Sequence, residues 1–183
     1  MADLSFAEIE KEFDEPLGYI KNDISALCLQ NERVNYTVAL LVGVGCEVLA
    51  KGRGKASSAV FAELLPTDDW KALSKPLWKA VRNGLAHKFD TKHLHVDGES
   101  IQIYFDWMRS QIVDIGPANG QTGLFIGTRP LGRLLCKKID EFRWELENDA
   151  VARERFRQAH SYKSKTECST SETAAWRRLV AKK

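Results

Sequence analysis

The stretch Val34-Asn-Tyr-Thr-Val-Ala-Leu-Leu-Val-Gly-Val-Gly-Cys-Glu-Val-Leu-Ala50 is apolar nearly all round. A helix with that pattern is normally the buried centre of a bundle, because no face of it prefers water. Its longest apolar run, Val38 to Ala50, is too short to cross a bilayer and contains Glu47. Gly43 and Gly45 invite a phosphate-loop reading, but a third glycine and a preceding strand are missing. Close helix packing explains them better, since glycine lets another element approach the backbone.

Working outward, helical patterns lie on both sides of this segment. Residues 3–14 place Phe6, Ile9 and Phe13 on one stripe, with Asp3 or Ser5 as the cap. Pro16 then punctuates the chain before a helix over Leu17 to Leu29. Lys51-Gly-Arg-Gly-Lys55 reads as a basic turn, either solvated or touching phosphate. A short helix over Ser57 to Leu65 ends at Pro66. Thr67-Asp68-Asp69 caps a helix carrying Trp70, Leu73, Leu77, Val81 and Leu85 at spacings of three and four. Trp78 stands beside that stripe, where it can flank a helix–helix contact.

The pattern changes after His87. Residues 92–107 alternate and are rich in β-formers, and Asp97-Gly98 is a strong turn signal. A small β-hairpin is expected there, with Ile112 to Ile115 as an extension and Gly116 to Gly127 as loop. A long helix is expected from about Pro130 to Ala159. Ser161 to Thr173 reads as a polar linker, and Ala174 to Ala181 as a terminal helix anchored by Trp176 and Leu179. The reading is therefore a mainly α fold. One helical domain covers residues 1–160, and residues 161–183 form a linker and a short helix.

At 183 residues the chain has room for one domain with one core. Its formal net charge of +2 is too small to identify a polyanionic partner, but the charge is unevenly placed. Residues 1–50 carry three Lys/Arg against nine Asp/Glu, whereas residues 131–183 carry thirteen against eight. Either the acidic end lies against the basic end, or the basic half faces a polyanion. Cys28, Cys46, Cys136 and Cys168 are far apart with no C-x-x-C pair, which argues against a zinc site and a disulfide framework. The first residues are acidic where a signal peptide needs basic and then apolar ones. A cytoplasmic protein without membrane association is expected.

The chemistry concentrates in Lys79-Ala-Val-Arg82-Asn83-Gly-Leu-Ala-His87. Asn83 and His87 are four apart and share a helix face. Arg82 and His87 are about 140° apart on an ideal helix. They converge only if the helix ends or distorts near Gly84, or if Arg82 reaches round. A guanidinium, an amide and an imidazole with no carboxylate among them suit a phosphodiester. The plainer alternative is that Arg82 pairs with a core carboxylate and His87 caps the helix C-terminus. Glu47 is the odd acid in the apolar helix; it either pairs with Arg82 or lies on an exposed edge. Lys79 and Lys88 flank the motif as candidate contacts to an RNA backbone. A metal site from His87, His93 and His95 lacks a completing acid or thiol, so none is expected. A thiol triad of Cys46, His87 and Asn83 is disfavoured by the apolar surroundings of Cys46.

Arg82-Asn83-x-x-x-His87, at the end of a helix that follows an apolar helix and precedes a further one, resembles the signature of the HEPN superfamily. The likeness in context spans about residues 3–87 and 130–159, with the hairpin at 92–107 as an insertion. The resemblance implies a helical bundle that dimerises and brings two motifs into one cleft. It also implies a metal-independent endoribonuclease that works by 2′-hydroxyl attack and needs no cofactor, as in toxin, phage-defence or RNA-processing systems. His87 would do acid–base work, Arg82 would stabilise phosphate charge, Asn83 would position the phosphate or the His, and Glu47 would orient Arg82. Expected partners are RNA, a second copy of the chain and an inhibitory or activating protein. The same resemblance also covers non-catalytic modules that bind RNA, nucleotide or a partner protein.

Overall fold

A computed structural model describes residues 4–30, 34–88 and 93–160, and the side chains of all of these except 83–88. The expected segment 161–183, with Cys168, Trp176 and Leu179, lies outside the described residues. The chain is mostly helical, with eight α-helices and a four-stranded sheet among the described residues.

The apolar segment forms α3 (Asn35–Arg53), and Val38, Ala39, Val42, Cys46 and Leu49 on it are wholly buried. Around it pack α2 (Tyr19–Leu29), α4 (Ser57–Ala62), α6 (Ser74–Lys88), α7 (Thr128–Asn148) and α8 (Ala150–His160). Close packing is the use of Gly45: a Cβ there would stand 2.6 Å from Leu135 Cδ2 of α7. At the far end of α3, Phe13, Phe142 and Phe156 meet with ring centroids about 6 Å apart. Each of these rings is fully buried, which contributes roughly 1.5–3 kcal/mol apiece by area.

Three expected boundaries move. Pro16 does not end a helix. It sits in a π-helical turn over Asp14–Gly18 that joins α1 (Glu10–Phe13) to α2. The wider turn accommodates a residue that has no N–H to donate. Ser5 and Glu8 cap the preceding 3-10 turn, with Ser5 N donating to Glu8 Oε2 at 2.8 Å. The helix expected from Trp70 to Leu85 is two helices, α5 (Asp68–Ala72) and α6, which meet at Leu73. Pro76 explains the break: it cannot donate to Ala72 and its ring would clash with that carbonyl, so α6 restarts with Pro76 in its first turn. Leu73 is consequently turned outward and is 37% exposed. The long C-terminal helix also breaks, between α7 and α8. Asp149 Oδ1 accepts from Val151 N at 2.8 Å and caps α8. Buried Arg153 donates to the Leu146 and Glu147 carbonyls, covering the end of α7.

The larger correction concerns the β region. β1 (Leu94–Val96) and β2 (Glu99–Asp106) form the expected hairpin through Asp97-Gly98, both at positive φ. Residues Gly116 to Gly127, expected as loop, instead complete a second hairpin of β3 (Val113–Ala118) and β4 (Gln121–Gly127). Its turn is Asn119-Gly120, again with both residues at positive φ, which matches the twist of the two strands. β4 inserts between β2 and β3 and runs parallel to β2, giving the order β1-β2-β4-β3. One face of the sheet, with Leu94, Ile103, Val113, Leu124 and Ile126, is buried. The sheet is tied to the start of α3 by Asn35, whose Nδ2 donates to the Phe105 carbonyl at 3.2 Å. Asn35 Oδ1 in turn accepts from buried Thr128 Oγ1, the first residue of α7, at 2.7 Å.

The uneven charge is partly resolved by contact. Arg143 of α7 binds Glu10 and Asp14 from the acidic N-terminal region at 2.6 and 3.0 Å. Among the described residues, no helix is long and apolar enough to cross a membrane.

Candidate functional site

α6 is amphipathic for a simple reason. Leu77, Ala80 and Val81 face the core, while Lys75 and Lys79 point to solvent. Arg82 lies on the boundary. Its stem passes over Gly43 of α3, where an added Cβ would make only an ordinary contact, 3.8 Å from Arg82 Cγ. One turn further along α3, Glu47 meets the guanidinium. Arg82 Nε donates to Glu47 Oε1 at 2.6 Å, and Nη2 donates to Oε2 at 3.4 Å. The carboxylate therefore grips the side edge of the guanidinium. Nη1 makes no hydrogen bond to any described residue, so the end of the fork points away from Glu47.

Both readings of Glu47 hold in part. It lies on the edge of its helix, 38% exposed, and it pairs with Arg82, which is 33% exposed. The hydrogen bond from Arg82 to Glu47, and then their mutual charge, raise the guanidinium pKa further above its ordinary value. Arg82 stays cationic at any working pH.

The helix backbone carries Asn83, His87 and Lys88 as the last turns of α6. Their side chains lie outside the described residues. α6 continues as regular α-helix through Gly84 to Lys88, so the distortion that was one route to convergence is absent. The helix hydrogen bonds on either side outweigh a glycine penalty of about 1 kcal/mol. Positions 82 and 87 consequently lie about 140° apart around the α6 backbone. Convergence on one phosphate requires the reach of the Arg82 stem or the approach of a second copy. Lys79 is exposed, two residues past Leu77 on the outer face.

No family model, curated protein or solved structure matches this chain. What the site can do rests on its own geometry.

Several other expected features resolve into structural roles. Arg53 and Lys55 of the basic turn share Glu63 at 3.0 and 2.9 Å, and Arg53 lies over the Phe142 ring. Lys51 of that turn is exposed, one turn beyond Glu47. Cys46 is fully buried. Burial, followed by the charges of Glu63 and Glu47, pushes its thiol well above the ordinary range, so it offers no thiolate. His93 Nδ1 lies 2.7 Å from Ser100 Oγ, across the start of the first hairpin. An apolar groove of about 400 Å³ between α5 and the sheet, lined by Trp70, Leu73 and Leu94, does not include Arg82. Sequence reading passed over Lys75. Its signal was available: no Asp or Glu occurs between Asp69 and Lys88.

Proposed function

We propose that the protein is a metal-independent endoribonuclease of HEPN type, centred on Arg82, Asn83 and His87. The observation that supports this reading most is the Glu47–Arg82 pair at the edge of α3 and α6. A carboxylate on the side edge of the guanidinium fixes its plane and leaves the Nη1 end for another planar or tetrahedral anion. A phosphodiester suits that end, and the following residues on the same helix supply an amide and an imidazole.

In the proposed reaction, the ribose 2′-hydroxyl loses its proton to an imidazole and its oxygen bonds to the adjacent phosphorus. The bond from phosphorus to the 5′-oxygen breaks, and that oxygen takes a proton. The products are a 2′,3′-cyclic phosphate and a 5′-hydroxyl. His87 handles protons, and Arg82 offsets the charge that grows on the non-bridging oxygens. Asn83 positions the phosphate or the imidazole. One protomer offers one His87, while the reaction uses a base and an acid. The 140° offset along α6 also separates Arg82 from His87 of the same chain. Both points favour a site shared between two copies related by a two-fold axis. Exposed Val44 and the partly covered Leu40, Leu41 and Val48 on α3 supply apolar area for such an interface. On this reading the cellular role is that of a toxin or phage-defence effector, restrained or released by a partner protein.

A second reading has one specific support. Because α6 is unbroken, the motif can equally serve a non-catalytic module that binds RNA, nucleotide or protein through Arg82 alone. Incubation of the purified chain with mixed RNA and a chelator separates the two. The first expects cleavage to persist with chelator, to leave cyclic phosphate ends, and to vanish in His87→Ala with helical content unchanged. Absence of cleavage, or cleavage indifferent to His87→Ala, sinks it.

A further inference from the structure

Most strongly placed cations of this protein are matched to acids. Arg143 holds Glu10, Asp14 and Glu147; Arg109 holds Asp106 and Asp114; Arg157 holds Glu154. The outer face of α6 differs. Lys75 and Lys79 are exposed, and no carboxylate among the described residues pairs with either. Between Asp69 and Lys88 the chain has no acid at all. Glu47 of α3 reaches only the side edge of Arg82.

These cations are not scattered. Lys75, Lys79 and Arg82 follow at spacings of four and three, which puts them along one side of the helix over about 10 Å. Trp78 stands three residues after Lys75 and four before Arg82, on the same side. Its ring is held by Phe61 of α4, with centroids 5.7 Å apart, and it remains partly open to solvent. An aromatic ring fixed from behind, between cations that lack partners, is the arrangement that receives a strand of nucleic acid: charges meet phosphates and the ring meets a base. A stacking indole needs an open base face, which a duplex does not present.

We propose that the Lys75–Trp78–Lys79 face of α6 is a track for single-stranded RNA leading to Arg82. The lysines hold phosphates on one side of the phosphate at Arg82, and Trp78 stacks one base between them. The choice of RNA rests on the nuclease reading above; the track itself rests on α6 alone.

The test uses the full chain carrying His87→Ala, so that bound RNA is not consumed. Binding of a labelled, unstructured oligoribonucleotide is followed by anisotropy across a salt series, beside a duplex RNA of equal length. The single strand binds more tightly than the duplex. Lys75→Ala and Lys79→Ala each lower the slope of log affinity against log salt by about 0.7. Trp78→Leu weakens binding about ten-fold and Trp78→Phe largely restores it. Lys137→Ala, on α7, leaves both quantities unchanged. An unchanged slope in the Lys75→Ala/Lys79→Ala double variant, or equal affinity for duplex, overturns the proposal even if Trp78 variants fail to fold. The two readings fail separately. Single-strand binding through this face with no cleavage by the wild type removes the nuclease and leaves the track. Cleavage indifferent to both lysines does the reverse.

Discussion

The Glu47–Arg82 pair can be weighed by a double-mutant cycle, with Glu47→Gln and Arg82→Gln as the single changes. The two contacts, 2.6 and 3.4 Å, are close to side-on bidentate geometry, which is the favourable case for a surface pair. Against that, both side chains are about a third exposed, so water and salt screen the attraction. Exposed pairs contribute about 0.2–1 kcal/mol, and the good geometry places this one near the upper end. A coupling of about 1 kcal/mol is therefore expected from urea unfolding of the four proteins at moderate ionic strength. For a chain of this size that corresponds to roughly 2–4 °C in Tm for either single variant. The functional effect is expected to be larger than the stability effect. Glu47→Gln keeps the shape and one acceptor but loosens the guanidinium plane, so Arg82-dependent RNA cleavage falls about ten-fold or more. A coupling indistinguishable from zero means that the pair does not hold Arg82, and its orienting role is lost with it. A coupling above about 3 kcal/mol is the signature of a buried pair, and contradicts the exposure on which the reasoning stands.

Two further outcomes follow from the packing and charge around α3. Gly52→Ala places a Cβ 2.9 Å from Phe156 and 3.0 Å from Phe142, two fully buried rings. The overpacking costs about 1–3 kcal/mol, partly offset by the better helix propensity of alanine, and calorimetry reads it as a lowered Tm. Burial alone would raise the pKa of Glu63, but the Lys55 hydrogen bond and the charges of Arg53, Lys55 and Lys138 more than offset it and hold the carboxyl below its ordinary 4.5. A group lowered on folding stabilises the fold fully above its unfolded pKa and loses that contribution as pH falls through the folded one. The stability gap between wild type and Glu63→Gln is therefore expected to be widest near neutral pH and to close as pH falls below the group's ordinary 4.5 and through its lowered folded value; a gap that widens on acidification refutes the assignment.

Local features of the chain were enough for several parts of this architecture. The all-round apolarity of Val34 to Ala50 identified the central helix, because such a segment has nowhere to go but inside. Asp97-Gly98 identified the first hairpin, because both residues tolerate the positive φ that its turn needs. A single acid in an apolar helix made Arg82 a candidate partner of Glu47, beside an exposed helix edge, because a partly desolvated carboxylate seeks a cation. Some misreadings were also local and avoidable. Pro76 explains the break before α6, Asp149 marks the start of α8, and Asn119-Gly120 is as clear a turn as the first one.

Tertiary structure alone decided the rest. The parallel pairing of β2 with β4 joins residues about twenty apart in the chain, and nothing in either strand names its neighbour. The order β1-β2-β4-β3 arises because one apolar sheet face must be covered, and the start of α3, anchored through Asn35, is where it meets the bundle. The same holds at Arg82. Its spacing to His87 was readable along the chain, and α6 runs unbroken through Gly84. The direction of the guanidinium was set by Glu47 from another helix. Periodicity reports which face of an element avoids water; only packing determines which other element supplies the cover.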